Sequence, residues 1–358
     1  MMSYLKIILN KLNRLLQPEP WYKKQAKQAW KLLKKLFALK LVRFVLLALI
    51  LLLIAPFVIF IFLRPHTPDS FNYGITFSNK YAYEIGFNDW PGAYLKILDD
   101  LKPQTLRLVA YWDEAEPKRD QYDFSTIKWQ LEEAQKRDIP VILITGRKQV
   151  RWPECFEPKW WEEIESQATR NAELLEFVKQ SILELREYEN IFMWQVENEP
   201  FWAFGDCAGE ISWEMLNDEV DLVRSLDDRP IIIQDSGEGG VWLPTYSAGD
   251  YLAISLYRRI WYDFWGVFLG RPIYFQYPLA HWTYKIKAEL VGVPPERIFV
   301  TELQAEPWGP GINSELSREE KDKTMSRELF IDTINYAQKS GLGNIYFSGA
   351  EPWLFEEA

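Results

Sequence analysis

IFMWQVENEP, residues 191–200, decides the fold. Its first six residues are apolar on both faces apart from one glutamine, the pattern of a strand buried on both sides in a parallel sheet. Asn198-Glu199-Pro200 then closes it with an amide, a carboxylate and a residue that cannot donate to a ladder. IFVTELQAEPW, residues 298–308, repeats the arrangement and closes on Glu302. Working outward from these two runs, eight strands are predicted over 73–77, 105–111, 140–145, 191–196, 230–234, 251–257, 298–302 and 344–348. Helical spacing of apolar residues occupies 91–101, 125–137, 167–187, 212–226 and 318–340 between them. This alternation is that of an α/β (β/α)8 barrel, which takes about 250 residues.

Two places depart from that pattern. The segment between the fifth and sixth strands is too short for a full helix. The sequence runs only ten residues past Ser348, so the helix after the eighth strand is expected to be missing. The flank of the first and eighth strands then needs another cover, and the segment just before the first strand is the candidate.

A formal charge of −10 hides two opposed parts. Residues 1–43 carry 11 Lys and Arg against the single acid Glu19, and the remainder carries 30 basic against 50 acidic residues. An acidic globule is the wrong surface for DNA or RNA, whose phosphates require clustered cations. The run from Phe44 to Leu63, FVLLALILLLIAPFVIFIFL, is 20 residues without a charge, the length that crosses a bilayer core. With all the positive excess before it, residues 1–43 are expected in the cytoplasm and the chain after it outside, joined through a linker at 64–72 to a catalytic domain at 73–358. A cleaved signal peptide fits less well, because the apolar run is long, over 40 residues precede it and no small-x-small site follows. Within the basic tail, 21–40 has Trp30, Leu33 and Phe37 on one helical face and lysines on the other. Such a helix either lies on the inner leaflet or continues into the span.

In a parallel barrel the site lies at the C-terminal ends of the strands, so Glu199 and Glu302 face one another's region about half a barrel apart. Two carboxylates there suit glycoside hydrolysis, which needs one neutral acid for the leaving oxygen and one ionised carboxylate for the anomeric carbon. The alternative, solvated loop acids or a structural ion pair, would not require both to fall on these strand ends.

On these residues the sequence resembles the retaining (β/α)8 glycoside hydrolases of the clan that includes cellulases, β-mannanases and β-galactosidases. The resemblance spans roughly 73–353. It implies that Glu199, after Asn198, is the acid/base and that Glu302 is the nucleophile. Arg107 in TLRLVAYW resembles the arginine that keeps the nucleophile ionised, Tyr257 ending AISLY its hydrogen-bonding tyrosine, and Trp353 the tryptophan floor beneath the reacting sugar. WDEAEPKRDQYDF, beginning at Trp112, is similar to a stretch common in the clan. Asn198 is expected to bind the sugar 2-hydroxyl, and the bond broken is expected to be β. The sequence departs from the clan in having Ser255 where many members carry His, and Gly146-Arg147-Lys148 where His or Asn is common.

Arg147, Lys148, Arg151 and Trp152 make the third-strand loop basic and aromatic, which reads either as a contact for an anionic or heavily hydroxylated substrate or as a solvated loop. Lys148, Trp152 and Trp308 are accordingly candidate substrate-binding residues, as is Trp112. Asp235 and Glu238 close the fifth strand and either line the cleft or cap a Gly-rich turn. Glu197 and Glu306 share strand parity with Glu199 and Glu302, but the motif favours the latter pair. Cys155 and Cys207 fall in loops after neighbouring strands, where a disulfide is expected outside the cytoplasm. With only His66 and His281 and no HExxH or cysteine cluster, neither a catalytic metal nor a cofactor is expected. The reading is a retaining glycosidase acting by double displacement on a carbohydrate. Its rivals are a transglycosylase using the same pair and a non-catalytic carbohydrate-binding barrel.

Overall fold

The computed structural model describes residues 20–38, 40–62, 68–207, 211–262, 270 and 273–356. The chain divides into two units, Met1–Arg64 and Pro65–Ala358. The first holds the helices Pro20–Ala38 and Lys40–Phe62. In the former, Trp30 and Leu33 are exposed and the Lys34 ammonium lies over the Trp30 ring. The latter contains most of the uncharged run, with described side chains at 42–55 and 58. Among the described residues no helix is long and apolar enough to cross a membrane, so the predicted span at 44–63 lies partly outside them.

The second unit is an eight-stranded parallel barrel. Its strands are β1 (Asn72–Thr76), β2 (Thr105–Val109), β3 (Val141–Thr145), β4 (Ile191–Val196), β5 (Ile231–Asp235), β6 (Tyr251–Leu256), β9 (Ile298–Gln304) and β10 (Asn344–Ser348), closed in that order with β10 against β1. All eight predicted strands are present within two residues at their starts. Between β6 and β9 the chain adds an antiparallel pair, β7 (Arg259–Tyr262) and β8 (Ile273–Gln276), and a helix Thr283–Val291 that periodicity did not reveal. The short unit after β5 holds the six-residue helix Leu243–Ala248. The helix predicted over 318–340 breaks at Ser326, whose hydroxyl accepts from the Leu329 N–H and starts a new helix, Arg327–Lys339.

Side-chain alternation along the strands builds two layers inside the barrel. Ile142, Met193, Ile232, Ala253, Phe299 and Tyr346 form one apolar cluster. Two residues further along their strands stand Gln195, Gln234 and Thr301, joined by Arg107, all fully buried. The outward residues Leu106, Leu108, Trp194, Val196 and Ile233 pack into the larger core beneath the helices. After β10 the chain makes one helical turn, Trp353–Glu356. Its flank is covered by aromatic packing, Phe71 on Tyr73, Tyr73 on Phe347, and Phe330 and Trp353 on Phe347.

A bulge in β9 re-aims its last residues. Val300 pairs with Ile254 of β6, but the next pair is Glu302 with Ser255, so Thr301 is passed over. The pairing with β10 slips at the same place. Phe299 and Thr301 point into the barrel while Val300 and Leu303 pack outside, and the extra residue turns Glu302 inward beside Thr301.

Candidate active site

At the end of β4 the backbone leaves the strand through two left-handed residues, Glu197 (φ 61°) and Glu199 (φ 48°). Non-glycine residues rarely adopt this region, and where they do the surroundings hold them there. The consequence is a parting of the three polar side chains. Glu197 turns back, accepting from the Arg147 and Lys148 N–H groups at 2.6 Å each, while Asn198 and Glu199 turn to the barrel mouth.

Arg107 organises the mouth. Fully buried on β2, it donates to Gln195 (2.8 Å), Asn198 (2.8 Å), Gln234 (2.6 Å) and Glu302 Oε1 (3.2 Å). Gln234 Nε2 donates to the same Glu302 oxygen at 2.6 Å, and the Tyr257 hydroxyl donates to the other at 3.1 Å. Asn198 Nδ2 is buried with no hydrogen-bond partner among the described residues, a donor left free beside the pair. Glu199 accepts from the Ser255 hydroxyl at 2.9 Å. Burial first, and then the nearby charge of Glu302, pushes the Glu199 carboxyl up to about 8. The site therefore holds two carboxyls in different environments, one ringed by donors and one kept protonated at neutral pH.

Ser255 links two carboxyls. Ser255 stands between Glu199 and Glu238, whose carboxyl accepts from the Tyr257 N–H (2.9 Å) and the Tyr284 hydroxyl (2.8 Å). Burial raises Glu238 to about 7. Glu238 thus holds the residue that reaches Glu302 and does not line the cavity.

A cavity of ≈680 Å³ opens over Glu302. Tyr257, Glu154, Arg151, Trp152, Trp261 and Trp308 are among its walls. Other aromatic candidates lie elsewhere. Trp112 is fully buried, stacked on Phe177 with its indole N–H on Glu116, and cannot meet a substrate. Trp353 packs edge-on against Phe330 and Phe347 and donates to the Ala305 carbonyl, outside the cavity lining. Asp235 caps the turn after β5, accepting from Ser236 N, Trp242 N and the Thr245 hydroxyl.

The basic loop offers no free cations to a substrate. Arg147 pairs with Glu157, Lys148 with Glu154 at 3.4 Å, and Arg151 with Glu306 and Glu351. Lys148 also donates to the Glu199 and Trp202 carbonyls and so ties loops together. Among the described lining residues Glu84, Glu154, Glu302 and Glu306 accompany Arg151, and the last three of these acids are themselves ion-paired, with Lys148, Arg107 and Arg151. Glu306 is occupied by Arg151 and the Tyr81 hydroxyl. Cys155 and Cys207 form a disulfide with Cα atoms 5.3 Å apart.

Behind the β3 loop, Glu219 meets Glu197 with both carboxyls fully buried. Neither Glu219 oxygen has a hydrogen-bond donor from elsewhere among the described residues, so one carboxyl must hold a proton toward the other. Burial, then the charge of Glu197, raises Glu219 well above 4.5, against the weaker pull of Arg147. A carboxyl raised on folding binds more protons folded than unfolded, so its stabilisation is whole below the unfolded value and is lost as pH rises toward the folded one. Glu219→Gln, which can donate to Glu197 without a proton to lose, should therefore gain in Tm over wild type as pH goes from about 5 to 8. A thermal scan series showing a constant difference would remove the shared proton.

No family model and no curated protein matches the sequence. Solved structures match the barrel. GH5_18 from Bifidobacterium longum subsp. longum is similar at 13% identity, covering 78% of this chain and 70% of that one, with a TM-score of 0.54. The exo-β-1,4-mannosidase Op5Man5 of an Opitutaceae bacterium has 12% identity over 82% of this chain and 57% of its own, TM-score 0.52. A β-galactosidase of Rahnella sp. R3 has 10% identity over 80% and 51%, TM-score 0.54. At these identities the likeness speaks for the fold.

Proposed function

We propose that the chain is a retaining glycoside hydrolase. The observation that carries this is the division of labour between two carboxyls at one barrel mouth: Glu302 bound by Arg107, Gln234 and Tyr257, and Glu199 raised to about 8 beside it. The barrels it is similar to, named as a β-galactosidase and an exo-β-1,4-mannosidase, support the same reading. In it, Glu302 attacks the anomeric carbon while Glu199 gives its proton to the departing oxygen, and Glu199 then takes a proton from water as the glycosyl–Glu302 ester is hydrolysed. Esterification neutralises Glu302 and removes the charge that helps raise Glu199, which lets Glu199 act as a base in the second step. By resemblance to the clan, Asn198 Nδ2, which has no partner among the described residues, is the donor for a sugar hydroxyl next to the reacting carbon. The substrate is a neutral glycan, matching a mouth whose loop cations Arg147, Lys148 and Arg151 are all ion-paired, and the linkage is β, by resemblance to the clan.

The test is a screen of the full chain against aryl β-glycosides of glucose, mannose, galactose, xylose and N-acetylglucosamine. Release from none of them, with the protein folded, removes the hydrolase reading. On a substrate with a poor leaving group, kcat/KM should fall as pH rises through about 8, where Glu199 loses its proton. A profile flat to pH 9.5 would unseat Glu199 as the acid.

The uncharged run Phe44–Leu63 serves in this proposal as a membrane span with the barrel outside, supported by the charge asymmetry and by a disulfide suited to an oxidising compartment. Protease added to intact cells should then degrade the barrel and spare the basic tail. Protection of the barrel in unbroken cells overturns this topology.

A further inference from the structure

Four rings run in edge-to-face contact from the reacting centre to the surface. Tyr257, bonded to Glu302, meets Trp308 at 5.0 Å between centroids; Trp308 meets Phe204 at 6.2 Å, and Phe204 meets Trp152 at 5.9 Å. All four line the cavity. The outer two are open, Trp152 at 56% and Phe204 at 36% exposure. Exposed aromatic faces continuous with a cavity are binding surfaces, since their burial is favourable and water does not need them.

Their position decides what they bind. Phe204 follows Glu199 by five residues in the same loop, and Trp152 lies in the neighbouring loop after β3. Under the proposed reading, on which this inference rests, Glu199 touches the glycosidic oxygen, so what lies beyond Glu199 is the leaving group.

The two loops are tied to each other at several points. Cys155 is bonded to Cys207, the Asp206 N–H donates to the Pro153 carbonyl (3.0 Å), and Lys148 reaches the Glu199 and Trp202 carbonyls. Gly205, at φ +92°, lies so close that a Cβ there would stand 2.6 Å from the Pro153 carbonyl oxygen. Ties of this number hold the Trp152–Phe204 pair in one geometry before anything binds.

We propose that Trp152 and Phe204 form a subsite for a pyranose ring of the leaving group, preorganised by the Cys155–Cys207 disulfide. The occupant is an uncharged ring whose C–H face lies on the indole. The enzyme thereby favours oligosaccharides over glycosides with small aglycones.

The experiment compares two substrates that differ only beyond the bond: the glycosyl fluoride and the β-1,4-linked trisaccharide of each sugar in the screen above, with the full chain. A fluoride leaves the subsite empty. Trp152→Ala and Phe204→Ala should each raise KM for the trisaccharide about 5- to 10-fold and leave turnover of the fluoride unchanged. Trp152→Phe should recover most of the loss, and Cys155→Ser with Cys207→Ser should reproduce it in part. Trp152 is exposed, so its replacement does not endanger folding. Equal losses on both substrates, or none on either, overturn the subsite while leaving the hydrolase reading standing. If wild type consumes no fluoride and no trisaccharide, the hydrolase reading falls. The subsite is then decided by trisaccharide titration of tryptophan fluorescence: weaker binding to Phe204→Ala than to wild type upholds it, and equal binding overturns it.

Discussion

Glu302→Ala should lose about five orders of magnitude in kcat on every glycoside, because without the carboxylate no glycosyl ester can form. Glu199→Ala should behave differently. It should lose about 10³-fold on substrates whose leaving oxygen must be protonated and much less on glycosyl fluorides, whose leaving group needs little help. Azide separates the roles further. In the Glu199 variant it replaces water on the glycosyl–Glu302 ester and should give a β-glycosyl azide; in the Glu302 variant it takes the place of the missing nucleophile on the opposite face and should give the α-anomer. The anomers are distinguished by NMR of the product. Equal losses in the two variants with no response to azide would reverse or void the assignment, and a trisaccharide product larger than the substrate would mark a transglycosylase.

Periodicity and strand-end chemistry were enough for the barrel, because each strand is short, apolar on both faces and followed by a polar turn. Glu199 and Glu302 stood out for the same reason. Parity alone does not place Glu302, however. With Phe299 and Thr301 inward, strict alternation sends Glu302 outward, and only the bulge in β9 brings it in. A bulge is a pairing property of three strands and leaves no mark in one. Gln195 and Gln234 could have been found, since a lone amide inside an apolar strand must meet a partner when buried.

Trp112 shows the opposite failure. An indole that fills a core and one that lines a cleft look alike in sequence, and the two are separated only by which helix packs behind them. The basic loop misled in a related way. Arg147 and Lys148 are neutralised inside the loop by Glu157 and Glu154, whereas the carboxylates that meet Arg151, Glu306 and Glu351, follow β9 and β10 far along the chain.

The second large effect concerns Arg107, which the fold uses twice. Its fork satisfies three side-chain amides and the Glu302 carboxylate at full burial, so its removal strands a charge as well as several acceptors. Arg107→Met should cost about 3–5 kcal/mol of stability, or ~10 °C in Tm, and lower kcat about 10³-fold. Arg107→Lys should fare little better, since one ammonium cannot span acceptors arranged for a planar fork. Stability and catalysis can be parted by a second change. Glu302→Gln removes the charge that Arg107 neutralises, so if the cost of Arg107→Met is mainly that stranded charge, the double variant should be more stable than Arg107→Met alone while remaining inactive. The coupling is read from the four melting temperatures of the cycle. Additive losses would mean that Arg107 serves the amides Gln195, Asn198 and Gln234, and that the tie to Glu302 at 3.2 Å adds nothing to the fold.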